Sequence, residues 1–204
     1  MKDESKDYAI KLLKEEILFG FYTKEEMIQS IGDAFYDEDD FDKKWLKNKI
    51  KTHLKKYKEE SATWKTPTDF DRLVKAFDQL SEEKIVPLHR AGYTKQDAYD
   101  ECMEVIKKLK KKNIQAKGYC YYHTQDLERV ISESKMLFIG FDSFNGEDKL
   151  AMDVANTIVE VLKENNFEIK WNGSIETRIE IHNINWQKTV DNIDYGYKRI
   201  KKIM

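Results

Sequence analysis

The chain has 204 residues, with 38 acidic side chains against 36 basic ones and a formal net charge of −2. That balance excludes the basic footprint of a nucleic-acid binder taken as a whole. Charged residues make up 36% of the chain, but aromatics reach 12%, which argues for a folded core and against global disorder.

The length suits one core, or one core with a small accessory domain. No run approaches the roughly 18 apolar residues of a membrane span. The start, Met1-Lys2-Asp3-Glu4-Ser5-Lys6, lacks the apolar segment of a secretory signal. Cys102 and Cys120 do not form a disulfide framework or a Cys-x-x-Cys pair. A cytoplasmic protein is the expectation.

Residues 7–20 read as a helix with Ala9, Leu12, Leu13 and Ile17 on one face and Gly20 as its stop. Thr23-Lys24-Glu25-Glu26 is a capping box that opens a second helix striped by Met27, Ile28, Ile31, Ala34 and Phe35. The acidic run Asp37-Glu38-Asp39-Asp40 with Asp42 invites a calcium loop. Its sixth position is Asp42 rather than Gly, however, so carboxylates opening the next helix explain it better. That third helix runs from about Phe41 to Ser61 and carries a lysine-dense outer face, read as solvated.

Residues 61–68, with Pro67, read as a linker. Thr68 caps a helix striped by Phe70, Leu73, Val74, Phe77 and Leu80. From there strands and helices alternate. Ile85–Arg90 is a strand start or edge because it holds Pro87. Thr94 caps a helix to about Lys112, in which Cys102 is a small core hydrophobe. Residues 118–122 form an aromatic strand, and Met136–Phe141 an apolar one with the lone Gly140. A long helix is striped by Leu150, Val154, Ile158, Val161 and Leu162. Phe167–Trp171 and Thr177–Ile181 would pair as a hairpin through Asn172-Gly173. The lysine-rich tail, 187–204, would be a docked or dimerising amphipathic helix, or loose.

The fold class expected is α+β: an amino-terminal helical segment, 1–62, packed on a mixed, mostly parallel sheet domain, 63–186, with flanking helices and a terminal β-hairpin.

The most informative stretch is Gly118 to Arg129, where the aromatic strand runs into a helix start. Thr124 would cap that helix, and Asp126 and Glu128 would lie in its first turn. His123, Gln125, Asp126 and Arg129 then gather at the carboxyl end of a strand, the usual edge for ligands in open α/β sheets. If the two strands are neighbours, His89, Tyr93 and Asp97 open onto the same edge. Imidazoles near carboxylates are parts for proton transfer. A bland reading competes: a well-capped turn with a solvated His. Arg178 alternates with Ile179 and Ile181 and so faces away from them; an ion pair is the favoured role, anion binding the other. There is no zinc motif, no Gly-x-Ser-x-Gly elbow and no phosphate loop.

Several stretches resemble a bacterial family of uncharacterised proteins, the domain of unknown function 6891 family. They are Gly20 to Glu26, Thr68 to Leu73, Ala91 to Asp97, Gly118 to Arg129, Trp171-Asn172-Gly173 and Thr177 to Ile181. The chain departs from the pattern at Thr124, where the family has Gly, and at Asn172, where it has Asp. The resemblance implies the architecture and the importance of the polar strand ends, but no reaction.

The leading expectation is a binding or interaction protein without catalysis. Its ligand-binding candidates are Tyr93, Asp97, His123, Gln125, Asp126 and Arg178. The alternative is a small hydrolase-like or metal-assisted enzyme using His123, Asp126 and His89. A third is a partner that neutralises a toxin or effector through Asp37 to Asp42. No metal or cofactor is expected. The partner would be a protein or a small polar ligand, with a homodimer among the states considered; neither membrane nor nucleic acid is expected.

Overall fold

The structure is a computed structural model describing all 204 residues. The chain folds as two compact units, Met1–Thr68 with Gln187–Asn192, and Asp69–Trp186 with Ile193–Met204. No helix is long and apolar enough to cross a membrane.

The first unit holds α1 (Asp3–Phe19), α2 (Lys24–Asp33) and α3 (Lys43–Ser61). Their stripes meet in one core of Ala9, Leu13, Ile17, Met27, Ile31, Leu46, Ile50 and Tyr57. Gly20 ends α1 at φ +76°, a conformation that costs glycine little. The Thr23 box is present: Glu26 N–H donates to Thr23 Oγ1 at 3.2 Å and Thr23 N–H to Glu26 Oε2 at 2.7 Å. The acidic run is used internally. Asp42 accepts from Lys44 N and Trp45 N at 2.9 Å each, Glu38 accepts from Ser5 Oγ at 3.0 Å, and Asp40 pairs with the Met1 amine. Residues 187–192 join this unit, where the Lys188 carbonyl accepts from Tyr57 Oη at 2.9 Å.

The second unit runs α4 (Asp69–Glu82), β1 (Ile85–Leu88), α5 (Lys95–Lys110), β2 (Gly118–Tyr121), α6 (Thr124–Val130), β3 (Leu137–Ser143), α7 (Asp148–Glu164), β4 (Glu168–Lys170), β5 (Ile179–His182) and α8 (Tyr197–Ile203). The fold class is α+β. The sheet order is β1-β2-β3-β5-β4, and it is mixed but not mostly parallel. Only β1 and β2 pair in parallel; the other three pairings are antiparallel.

Two physical reasons explain the difference. The α6 helix has seven residues, too short for the return crossover that parallel neighbours need, so β3 simply turns back along β2. The longer α7 does carry the chain back, so β4 points the same way as β3. The final strand β5 then slots between them and makes both contacts antiparallel. Pro87 sits on β1, an edge strand, where a missing ladder donor is tolerated.

The expected terminal hairpin forms between β4 and β5, but its turn is longer than two residues. Residues 171–178 connect β4 to β5, folded on the Asn172 side chain. Asn172 Oδ1 accepts from Ser174 N at 3.0 Å and Thr177 Oγ1 at 2.5 Å, and Trp171 Nε1 donates to Ser174 O at 3.1 Å.

Side-chain alternation splits the sheet into two faces. Val86, Leu88, Tyr119 and Tyr121 pack with Ala98, Cys102, Val105, Ile106 and Leu109 of α5 and Ile200 of α8. The tail helix is therefore docked in this core. The opposite face holds Tyr122, against Phe77 of α4 and His89, and Gly118, which admits Val154 of α7.

Candidate functional site

The strand-end cluster forms around one buried carboxylate. Asp126, fully buried in the first turn of α6, binds in three directions. Arg178, just before β5, donates Nη1 to Oδ1 at 2.9 Å and Oδ2 at 3.0 Å. Arg129, one turn along α6, donates Nη1 to Oδ1 at 3.0 Å. The His123 backbone N–H donates to Oδ2 at 3.2 Å, so Asp126, not Thr124, caps this end of α6. Thr124 is the first helical residue, and its hydroxyl donates to Gly92 O at 2.8 Å. Both guanidinium groups lie over the Phe138 ring, Arg178 at 4.7 Å and Arg129 at 5.5 Å. Arg178 thus takes the ion-pair role.

His123 is only 4% exposed. Its Nδ1 lies 3.1 Å from Asp126 Oδ2, off line for a hydrogen bond, and its Nε2 lies 3.4 Å from Arg178 Nη1. A guanidinium can only donate, so Nε2 is the acceptor and the ring is neutral with its proton on Nδ1. Burial lowers its pKa below the ordinary 6.5 and the two arginines add to that, while Asp126 opposes them.

The other candidates separate. Asp97 completes the Thr94 capping box of α5, accepting from Thr94 N at 2.8 Å, Thr94 Oγ1 at 2.9 Å and Tyr93 N at 3.3 Å. The Thr94 amide and hydroxyl hold its carboxyl below the usual range. Tyr93 is exposed and its hydroxyl donates to Glu128 Oε1 at 3.4 Å. Gln125 supplies its carbonyl to Arg129 Nη1 at 3.3 Å. His89 lies on the other face of the sheet from His123. Its Nδ1 is 2.8 Å from Tyr122 Oη, and its ring packs among Phe70, Phe77 and Tyr195. Adjacent strands placed the two histidines near each other in sequence logic, but Tyr121 and Tyr122 point to opposite faces, and each His follows one of them. No group of three or more His, Cys, Asp or Glu side chains is placed to hold a metal ion.

Next to the cluster lies an open groove of about 680 Å³ that the candidate list missed. Its floor is Tyr119 and Tyr121, successive residues on one face of β2, whose rings are nearly parallel at 6.4 Å. Tyr99 of α5 meets Tyr119 edge-on at 6.2 Å, and Tyr121 leads on to His123 at 6.4 Å. Gly140, opposite Tyr121 on β3, makes the floor possible. A Cβ there would fall 2.5 Å from Tyr121 Cζ. The groove exists because β5 pairs β3 only over Leu137–Ile139, leaving the rest of that edge uncovered. Lys95, Gln96 and Asp142 form its walls, with Asp148 at the start of α7 and Ile175 and Glu176 from the 171–178 connection.

Tyr119 and Tyr121 are each 4% exposed, yet neither hydroxyl has a hydrogen-bond partner in the protein; both open onto the groove. Burial pushes the Tyr119 phenol up and the Tyr121 phenol to about 12, so both stay protonated and able to donate. The legible signal was there: two tyrosines two apart on a strand share a face, and a lone Gly in the neighbouring strand marks close approach.

These features define an α+β protein with a mixed five-stranded sheet, a polar cluster around a buried carboxylate at the strand ends and an aromatic groove beside it. Residues 2–190 match the family described as domain of unknown function (DUF6891), and the chain belongs to that family. No curated protein and no solved structure matches it.

Proposed function

We propose that this is a non-catalytic binding protein whose small polar ligand sits in the groove over β2 and β3. The observation that carries the reading is the pair of buried tyrosines with unpartnered hydroxyls facing an open groove of about 680 Å³. Such volumes are typical of small-molecule sites, where an apolar floor carries a few convergent polar groups. The strand-end cluster braces that groove and is not itself the contact surface. Asp126 is fully buried and bound by protein donors, and both His123 ring nitrogens face charged neighbours, which leaves no free base for catalysis. A cytoplasmic setting goes with the same reading, since Cys102 and Cys120 are free and buried.

The test is amide chemical-shift mapping of the ¹⁵N-labelled chain against a panel of small amines, carboxylates, sugars and phenols. The expected result is saturable movement of the Tyr99, Tyr119, Tyr121 and Asp142 signals by at least one compound class. Binders that move only signals elsewhere, or a panel with no binder at all, would count against the groove.

A further inference from the structure

We infer that the groove takes a small organic cation, an ammonium or guanidinium group on a short carbon chain. This rests on the groove being the binding site and names the chemistry it selects. Three carboxylates, Asp142, Asp148 and Glu176, reach the groove against one ammonium, Lys95, and none of the four is in an ion pair. Asp142 spends one oxygen on Ser143 N at 2.7 Å, leaving the other for a ligand. Arg178 lies close by, but the Asp126 carboxylate compensates it.

Acidic walls alone would say little. The independent observation is the floor, where the Tyr119 and Tyr121 side chains are more than nine-tenths buried and their hydroxyls, with no partner in the protein, meet the groove. A ligand that bears donors for their lone pairs can take the place of solvent at these hydroxyls. An ammonium or guanidinium supplies such donors together with a charge that the walls complement. The half-exposed Tyr99 ring offers an aromatic surface of the kind that attracts cations. Phe141, Ala151 and Ile175 provide the apolar flank for a carbon chain.

The experiment is isothermal titration of the full chain at low ionic strength with agmatine, which carries both cationic groups. Butyrate and n-butanol serve as the anionic and neutral counterparts. Saturable agmatine binding is expected, with neither counterpart binding. Asp148→Asn and Glu176→Gln should each weaken it by about two- to five-fold, the range of exposed charge pairs. Tyr121→Phe, which keeps the packing, should weaken it by about three- to ten-fold through one lost hydrogen bond. Butyrate binding that moves the groove tyrosine signals while agmatine does not bind would overturn the cation and leave the groove as the site. Agmatine binding indifferent to all three substitutions would overturn the cation assignment here as well. Silence from all three probes would count against both the cation and the groove.

Discussion

The strand-end cluster and the tyrosine groove lie side by side on one sheet, yet they spend their polar atoms in opposite ways. In the cluster the carboxylate is answered internally, since the fully buried Asp126 takes Arg178, Arg129 and the His123 amide, while His123 Nδ1 is left without a hydrogen bond. In the groove, the Tyr119 and Tyr121 hydroxyls have no partner in the protein and meet open space instead. On the proposed reading, the dense charges serve as a brace and the open polar groups of the groove as the site.

That contrast can be broken first at Arg178. Its loss leaves Asp126 buried with Arg129 alone, itself about half exposed. Removing one partner of a buried pair typically costs about 3–5 kcal/mol; Arg178 is partly exposed, so about 3 kcal/mol is expected for Arg178→Ala. Urea denaturation checks it, and a change under 1 kcal/mol would remove the brace from the account. Gly140→Ala comes next. Its new methyl meets the Tyr121 ring and forces a hemmed side chain toward the groove, for about 1–3 kcal/mol and a loss of ligand binding. Unchanged stability and an unchanged Tyr121 signal would show that the floor is not set by this glycine.

Titration sharpens the comparison with a smaller effect. The folded pKa of His123 lies below its ordinary 6.5, so above that pH the residue contributes no pH dependence. As pH falls through 6.5 the unfolded chain binds a proton that the folded chain resists, and stability drops until the folded pKa is reached. His53 is lowered too, by burial and then by Lys14, Lys49 and Lys56, and acts with the same sign. Denaturation midpoints between pH 7.5 and 5.5, a window chosen to span roughly that pKa, should lose part of their slope in His123→Gln. An unaltered slope would mean that His123 is not held neutral. The smallest effect on stability belongs to Tyr121→Phe, expected within about 0.5 kcal/mol of the parent, since the lost hydroxyl had no internal partner. A cost well above 1 kcal/mol by the same denaturation measurement would reveal a partner the groove reading denies.

Much of this fold was legible. Caps declared themselves at Thr23 and Thr94, because local side-chain geometry fixes helix starts. The stripes on α4, α5 and α7 fell largely on the observed core, because burial follows helical period. Sheet order was less legible: strand direction is set by crossover length and by the late insertion of β5, neither of which leaves a local trace. Of the candidate site, His123, Asp126 and Arg178 do converge, although 52 residues separate the last two. His89 does not join them, because one residue of strand register sends it to the far face. The groove went unseen since Tyr119 and Tyr121 read as core; only the gap left by a short β5 shows that their hydroxyls are unmet.

The most direct test of this division is the ¹⁵N spectrum of the chain, including His and Arg side-chain signals, with and without saturating agmatine. The account predicts that the Tyr99, Tyr119, Tyr121 and Asp142 amides move while the His123 ring and Arg178 side-chain signals stay fixed. Movement of the His123 and Arg178 signals over a silent groove would contradict it and return the site to the strand ends.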